Sequence, residues 1–374
     1  MASQAEALAH DRHFMRAAIA LSARGSGTTW PNPSVGCVIV AEGFIVGQGT
    51  TAPGGRPHAE VQALAMAGSQ VRGACAYVTL EPCAHHGQTP PCAQALIEAG
   101  VARVVIACRD PDPRVDGKGA AMLRAAGIEV VEDVEKAAAE RILAPFFTRV
   151  RLGRPLITLK LAATLDGKIA TLSGESQWIT GAAARAQGQI LRGEHDAVMA
   201  GISTVLADNP DLSCRLPKYS ARPTVRIVWD STARLPVTHA LALSARKKPV
   251  FLLHSKRAEA DRLAALAALG VSLIEISEGA EGLDPAAALW LLGEQGLTSI
   301  LVEGGAKLAA SLLAAQLVDR LVWFSAPSVL GADGMSAIGA LGIAALYASP
   351  RFTPIATQRV GDDLMQVFDS LRAS

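Results

Sequence analysis

Four side chains in the first half of the sequence have the types and spacing of a catalytic zinc site. Glu60 follows His58 by two residues, and the thiols of Cys83 and Cys92 flank a Pro- and His-rich stretch further along. One imidazole and two thiolates fill three positions of tetrahedral zinc and leave the fourth open for water, so that the metal makes hydroxide available near neutral pH. Glu60 is then predicted to act as a proton shuttle rather than as a ligand.

The same residues also fit plainer structures. Cys83 and Cys92 could be buried thiols, and either His85 or His86 could supply a fourth ligand that closes a structural zinc site. A structural zinc site with four protein ligands would give Glu60 no catalytic role. The pattern therefore favours catalytic zinc.

Two stretches have the form of phosphate-binding turns. Residues 301–305 (Leu-Val-Glu-Gly-Gly) lead directly into a predicted helix, where two glycines let backbone N–H groups approach a phosphate closely. The polar loop over 110–119 could bind a substrate phosphate in the same way. Alone, a strand–Gly-Gly–helix junction is more often a tight turn than a nucleotide site, and the 110–119 loop is equally typical of a plain turn. No G-x-G-x-x-G fingerprint follows a predicted strand, which disfavours a Rossmann domain.

Composition excludes several classes of function. Of the 374 residues, 18% are charged and 4% are aromatic, and the formal net charge is +1. This argues against nucleic-acid binding, which relies on basic surfaces and aromatic stacking. No apolar run reaches the roughly 18 residues that span a membrane, and no signal-peptide pattern opens the sequence. Six cysteines are too few for a disulfide scaffold. We expect a cytoplasmic protein.

Strand-like and helix-like periods alternate along the chain, which predicts an α/β fold. A polar stretch with helix breakers over 145–155 predicts a boundary between two domains, 1–147 and 153–374. Thr180 is predicted to cap a helix, and a last edge strand is predicted over 360–368. The other predicted strands cover residues 35–40, 44–46, 76–80, 103–108, 128–131, 156–161, 197–200, 225–229, 250–254, 271–276, 299–302 and 320–325. Predicted helices of the first half cover residues 11–23, 58–67, 92–98, 118–126 and 134–150.

Several motifs together resemble the bifunctional riboflavin-biosynthesis deaminase/reductase family. In the first half these are Asn32-Pro33-Ser34-Val35-Gly36-Cys37, Pro57-His58-Ala59-Glu60, and Glu81-Pro82-Cys83 with the loop to Pro91-Cys92. The last two also resemble the zinc nucleobase-deaminase signature H-x-E…P-C-x-x-C, although eight residues separate the cysteines here. Strings over 159–168, 174–180, 201–210 and 301–305 resemble the reductase half of the same family.

The resemblance implies a cytidine-deaminase-like three-layer N-terminal domain and a dihydrofolate-reductase-like C-terminal domain. It implies zinc-dependent deamination of 2,5-diamino-6-ribosylamino-4(3H)-pyrimidinone 5′-phosphate, in which Glu60 carries a proton to the departing ammonia. NADPH would then reduce the ribosyl group to a ribityl chain. The implied cofactors are Zn²⁺ and NADPH.

The resemblance also implies binding residues in the second half. NADPH would be held by Ala162, Trp178, Thr204, Asp208, Ser231 and the turn Gly305, Ala306, Lys307, Leu308, Ala309, Ala310 and Ser311. The substrate would be held by Ser176, Arg192, Leu212, Arg215 and Glu303. Both arginines suit a phosphate, Trp178 could cover the nicotinamide, and Glu303 could accept sugar hydroxyls. Alternatively, Trp178 is a core residue, Asp208 a turn residue and Arg215 a solvated charge.

One departure from the family pattern stands out. The family usually carries a His shortly before the zinc motif, where this chain has Thr51. Three rival functions remain: a deaminase whose second half serves only for assembly, a nucleic-acid-editing deaminase, and a structural zinc module. The intact reductase strings argue against the first rival, and the near-neutral charge argues against the second. Glu60 argues against the third. We expect a homo-oligomer that binds a small pyrimidine ribotide, with neither nucleic acid nor membrane as partner.

Overall fold

The computed structural model describes residues 4–87, 90–219, 222–279 and 282–371. The chain divides into two compact units, Met1–Gly153 and Arg154–Ser374. The elements of the first unit are α1 (Gln4–Arg24), β1 (Gly36–Ala41), β2 (Phe44–Thr50), α2 (Ala59–Ala67), β3 (Cys75–Leu80), α3 (Cys92–Ala99), β4 (Arg103–Cys108), α4 (Lys118–Ala125), β5 (Glu129–Val131) and α5 (Lys136–Leu152).

The elements of the second unit are β6 (Leu156–Thr164), β7 (Lys168–Ala170), α6 (Ala182–Glu194), β8 (Ala197–Gly201), α7 (Ile202–Asp208), β9 (Val225–Trp229), α8 (Ala240–Leu243), β10 (Val250–His254), α9 (Ala260–Ala268), β11 (Ser272–Glu275), β12 (Glu278–Gly279), β13 (Gly282–Leu283), α10 (Pro285–Glu294), β14 (Ser299–Glu303), α11 (Ala306–Ala314), β15 (Arg320–Ala326), β16 (Met335–Ser336), β17 (Phe352–Val360) and β18 (Asp363–Ser370).

The first unit is a five-stranded sheet, in the order β2-β1-β3-β4-β5, between two layers of helices. Strands β3, β4 and β5 are parallel, and β1 is antiparallel to both of its neighbours. On each face of the sheet, a helix packs directly against a glycine of a strand. A Cβ at Gly36 would lie 1.9 Å from a carbonyl oxygen of α1, and one at Gly49 would lie 2.2 Å from a carbonyl oxygen of α2. Continuous apolar runs in β3 and β4 are buried between these layers, as parallel strands require.

The second unit is built on a nine-stranded sheet, in the order β11-β10-β9-β8-β14-β6-β15-β18-β17. The first seven strands are parallel to their neighbours, and β18 and β17 continue the sheet antiparallel. The carboxyl ends of β8, β14 and β6 therefore lie side by side. In open sheets of this kind the crevice outside those ends is where ligands bind.

Most of the predicted elements are confirmed, and two predictions are wrong. The segment predicted as an edge strand over 360–368 is a hairpin, because Gly361 (φ +67°) allows a tight turn between β17 and β18, and the edge strand is β17. Thr180 does not cap a helix. Helix α6 begins at Ala182, and the carboxylate of Asp363 accepts from the Gly181 N–H at 2.8 Å. Among the described residues, none of the helices combines the length and apolar character that crossing a bilayer requires.

Candidate active sites

Helix starts position two of the three predicted zinc ligands in the first unit. His58 is the residue immediately before α2, and Cys92 is the first residue of α3, where Pro91 precedes it in an extended conformation. Cys83 lies in the loop after β3, and its carbonyl accepts from the Ala93 N–H at 3.2 Å. This bond fixes the Cys83 loop to the first turn of α3, so that both thiols meet the imidazole.

The ligand atoms of His58, Cys83 and Cys92 all lie within 4.8 Å of one another. The imidazole Nδ1 is 3.2 Å from Cys92 Sγ, and the backbone N–H of Cys92 donates to Cys83 Sγ at 3.3 Å. The hydrogen bond with the Cys92 thiol lowers the pKa of Cys83 to about 4, with a further contribution from His58. A thiolate and a soft N/S donor set are what zinc prefers, so these residues fit the metal. Within the described ranges, neither His85 nor His86 joins the set.

Glu60 lies in the first turn of α2 and is 4% exposed. Burial raises the pKa of its carboxyl group, which the nearby His58 charge only partly offsets. The Cys92 thiol also acts to lower this pKa. Because Glu60 is so close to the ligands without being one of them, it can exchange protons with a molecule at the metal position.

Glu81 is a buried acid that the sequence analysis left without a role. Its carboxylate accepts from the N–H groups of Gly117 at 2.9 Å, Ala120 at 3.1 Å and Asp110 at 3.3 Å. It therefore occupies the N-terminus of α4, which favours the plain-turn interpretation of the 110–119 loop over a phosphate site. The sequence offered only a weak indication of this role. Glu81 is an acidic residue directly after a strand, and its N–H partners lie 29 to 39 residues further along the chain.

Thr51, at the position where the family usually has His, has a structural role in the fold. Its hydroxyl accepts from the Val35 N–H at 2.9 Å, and its own N–H donates to the Val35 carbonyl at 2.9 Å. The side chain is 3% exposed. It ties the end of β2 to the segment before β1 and contributes a structural contact at this position.

In the second unit, the carboxyl ends of β8 and β14 form a glycine-lined cradle beside Thr204. Gly304 and Gly305 have φ values of +73° and +85°, which favour glycine. A Cβ at Gly304 would lie 3.2 Å from Thr204 Cγ2, and one at Gly305 would lie 3.9 Å from the Gly201 nitrogen. Side chains larger than glycine would fill the space, so this cradle at a helix N-terminus fits a dinucleotide phosphate.

Most of the predicted cofactor turn, Gly305 to Ser311, lies within helix α11. The Ala309 N–H donates to the Gly305 carbonyl at 3.0 Å, so hydrogen bonding within α11 begins there. The side chains of Leu308, Ala309 and Ala310 are buried. Only the first turn of the helix can therefore offer N–H groups to a phosphate.

Arg192 and Glu303, both predicted to hold the substrate, bind each other. Arg192 Nε donates to Glu303 Oε1 at 2.9 Å, and Nη2 donates to Oε2 at 2.6 Å. Lys160 is a cation that the sequence analysis missed. It pairs in register with Glu303 across β6 and β14, and it projects from the same face of β6 as Ala162. The spacing of two residues already predicts that Lys160 and Ala162 share one face of a strand, but the sequence does not show that Lys160 pairs with Glu303.

The remaining predicted residues lie at several positions in the same unit. Trp178 is 69% exposed, with the Arg185 guanidinium 4.5 Å from its ring centroid, so the alternative that placed it in the core is wrong. Arg215 and Asp208 are exposed, and Ser176, two residues before Trp178, is half-buried. Leu212 packs its side chain into the core, so it can present only its backbone.

Ser231 follows β9, and its carbonyl accepts two hydrogen bonds from Ser255, one from the N–H and one from the hydroxyl, each at 3.0 Å. These bonds join the carboxyl ends of β9 and β10. Ser231 therefore lies at the same edge of the sheet as the glycine-lined cradle.

Comparisons with known proteins agree with both units. Residues 8–108 match the family described as cytidine and deoxycytidylate deaminase zinc-binding region, and residues 155–366 match the RibD C-terminal domain. The chain is 42% identical over 365 residues to the riboflavin biosynthesis protein RibD of Escherichia coli, covering 95% of this chain and 98% of that protein. It is 41% identical to RibD of Aquifex aeolicus, covering 96% and 98%.

Solved structures give the same result. A structure of Acinetobacter baumannii RibD superposes with a TM-score of 0.88 at 38% identity, covering 98% of this chain and 100% of that one. A diaminohydroxyphosphoribosylaminopyrimidine deaminase/5-amino-6-(5-phosphoribosylamino)uracil reductase from Thermotoga maritima superposes with a TM-score of 0.85 at 33% identity, covering 97% and 99%. The predicted fold class is confirmed, and this chain belongs to the RibD family of bifunctional riboflavin-biosynthesis proteins.

Proposed function

We propose that this chain catalyses two steps of riboflavin biosynthesis: deamination of the diaminopyrimidinone ribotide and reduction of its ribosyl group by NADPH. The observation that carries the proposal is the convergence of His58, Cys83 and Cys92 with a buried Glu60 that is not needed as a ligand. A structural zinc site has no use for such a carboxyl group. The second unit adds a glycine-lined cradle beside a buried ion pair.

In the deamination, His58, Cys83 and Cys92 would hold zinc. When bound, the metal would supply Lewis acidity that activates a water molecule. Glu60 would take up the two protons of the water in turn, passing one to the neighbouring ring nitrogen and the other to the amino group as the carbon–nitrogen bond breaks. The water oxygen would remain on the ring carbon, and ammonia would leave. The burial of Glu60 supports this role because a raised pKa suits a group that both accepts and donates a proton.

In the reduction, the first turn of α11 and Thr204 would hold the diphosphate of NADPH, which supplies a hydride. Reduction at C1′ of the ribosyl group would break the bond from C1′ to the ring oxygen, and that oxygen would take a proton. Glu303 and Lys160 are positioned to bind sugar hydroxyls on the face of β6 and β14. Ala162, Trp178, Asp208 and Ser231 are proposed as further cofactor contacts, and Ser176, Leu212 and Arg215 as substrate contacts.

We assign the deaminase to a domain of residues 1–147 and the reductase to a domain of residues 153–374. We also propose a homo-oligomer. Strand β17 leaves a nine-residue edge of the sheet unpaired among the described residues, and such edges attract another strand. Nearby, Leu346 and Tyr347 are 81% and 88% exposed. A reducing, cytoplasmic location would keep all six cysteines out of disulfides and so leave Cys83 and Cys92 able to bind zinc.

The test is to incubate zinc-loaded protein with the diaminopyrimidinone ribotide and to follow ammonia release and NADPH absorbance together. We expect ammonia first and NADPH consumption only after it. Ammonia without NADPH consumption would instead support the rival in which the second unit serves for assembly. If neither signal appears, the riboflavin assignment is wrong.

A further inference from the structure

A fully buried arginine with no role assigned above lies in the sheet of the second unit. Arg226, on β9, is 0% exposed. Its Nη1 donates to Ser244 Oγ at 2.7 Å and to Asp211 Oδ1 at 3.3 Å, and its Nη2 donates to the Lys248 carbonyl. A buried guanidinium is costly unless it is paired and hydrogen-bonded. Arg226 therefore holds the Asp211 turn, the end of α8 and the start of β10 together.

Lys248 binds the same turn from its other side. Its Nζ lies 3.1 Å from Asp211 Oδ2 and 3.0 Å from Ser213 Oγ, and the Ser213 hydroxyl also donates to the Asp211 carboxylate. Both neighbours of Leu212 are therefore fixed by charged groups. Leu212 itself has a φ of +56°, a left-handed conformation that is unfavourable for a residue with a Cβ. Such a conformation persists only where its surroundings impose it.

The turn also contacts the predicted substrate site. The carbonyl of Ser213 accepts from Arg192 Nη1 at 3.4 Å, and Arg192 makes the paired hydrogen bonds to Glu303. A continuous series of contacts thus runs from Lys248 and Arg226 through Asp211 and Ser213 to Arg192.

We infer that Lys248, Asp211 and Arg226 are positioning residues for the ribotide in the reductase reaction, which they serve by fixing the backbone of Leu212 and Ser213 and, through Ser213, the Arg192 side chain. The inference rests on the proposed function. Because these groups shape the ground-state site rather than the reacting atoms, their loss weakens ribotide binding and leaves the chemical step intact.

Lys248→Met is the most informative variant, because this side chain is 40% exposed and its removal leaves Arg226 paired with Asp211. Lys247→Met, at the exposed neighbouring position, is the matched control. The deaminated ribotide is supplied directly, and KM for the ribotide, KM for NADPH, kcat and the deaminase rate are measured for each protein. For Lys248→Met we expect KM for the ribotide to rise about tenfold, since the lost bonds involve charged groups. The other three quantities should stay unchanged, and Lys247→Met should match the wild type.

Two further variants separate positioning from general stability. Lys248→Arg should restore most of the ribotide affinity, and Asp211→Asn combined with Lys248→Met should raise KM no further than Asp211→Asn alone. A lower melting temperature with an unchanged KM for the ribotide would overturn the inference, as would a fall in kcat with no change in KM. Failure of the wild type to oxidise NADPH with the deaminated ribotide would instead overturn the proposed reductase function, and the inference with it.

Discussion

The guanidinium of Arg192 and the carboxylate of Glu303 face each other through two nearly parallel hydrogen bonds of 2.9 and 2.6 Å, although 111 positions separate them in the chain. Burial would raise the pKa of Glu303, but the charge and hydrogen bonds of Arg192 outweigh it and hold that pKa below its usual value. Glu303 is therefore ionised at neutral pH and can accept from sugar hydroxyls. Arg192, in turn, has fewer N–H groups left for a substrate phosphate than a solvated arginine would have.

Removing one member of this pair should cost more than removing both. Arg192→Met leaves the Glu303 carboxylate buried without its partner, and we expect the free energy of unfolding to fall by about 3–5 kcal/mol. The double variant Arg192→Met/Glu303→Gln should recover part of that loss, because no buried charge remains unpaired. Urea unfolding curves of the three proteins measure both effects. If the double variant is less stable than Arg192→Met, the pair does not work as described.

Glu60→Gln should slow deamination selectively. The amide keeps the size of the side chain but cannot carry a proton, and we expect ammonia release to slow by about 10²- to 10⁴-fold. Zinc content should match that of the wild type, since Glu60 is not among the three ligands. NADPH oxidation with the deaminated ribotide is the internal control and should be unaffected. Loss of zinc from the variant would show that Glu60 holds the metal instead.

Glu81→Gln should weaken both the fold and the metal site of the first unit. A neutral amide at the N-terminus of α4 loses the charge-assisted bonds from Gly117 and Ala120, and we expect a loss of about 1–3 kcal/mol in the free energy of unfolding. Zinc affinity should fall as well, because Cys83 follows Glu81 by two residues in the same loop. Glu98→Gln, on the exposed side of α3, is the control. Competition with a chromogenic chelator measures the affinity, and equal affinities in the two variants would contradict this role.

The zinc site could be predicted because its chemistry lies in short stretches of sequence. His58 and Glu60 are two residues apart, and few residue types other than Cys can take the places of Cys83 and Cys92 as zinc ligands. The buried parallel strands were equally visible, since they are continuous apolar runs bounded by polar turns. The hairpin of β17 and β18 was predicted poorly because β17 is largely exposed and carries Pro354, which weakens the strand pattern.

Contacts between distant segments could not be predicted. The N–H partners of Glu81 and the carboxylate partner of Arg192 are set by which strands and helices become neighbours, and no spacing in the sequence records that. For the same reason Lys160 was overlooked: its register with Glu303 exists only once β6 and β14 pair. Arg192 was predicted to bind the substrate phosphate, which stays a prediction, and its partner in the fold is the Glu303 carboxylate.

The stability of the second unit should depend on pH through His195. Burial lowers the pKa of this imidazole to about 4, and the nearby Arg320 charge acts in the same direction. Its Nδ1 lies 2.7 Å from the Leu191 carbonyl and its Nε2 lies 2.8 Å from Thr158 Oγ1. In the neutral ring Nδ1 can donate to the carbonyl while Nε2 accepts from the hydroxyl. Protonation would turn Nε2 into a donor, so that this bond would have to reverse, with the Thr158 hydroxyl accepting.

Because the folded-state pKa of His195 is lower than the roughly 6.5 of an unfolded histidine, the unfolded chain binds more protons between these values. Stability is therefore complete above pH 6.5 and falls as the pH drops toward 4, by at most about 3 kcal/mol from this group. His195→Gln removes the titration but can keep both hydrogen bonds, so its unfolding midpoint in urea should fall less between pH 7 and pH 5 than that of the wild type. Tryptophan fluorescence reports mainly on this unit, because four of the five tryptophans, Trp178, Trp229, Trp290 and Trp323, lie in it. Parallel pH dependences of the two proteins would show that His195 is not the responsible group.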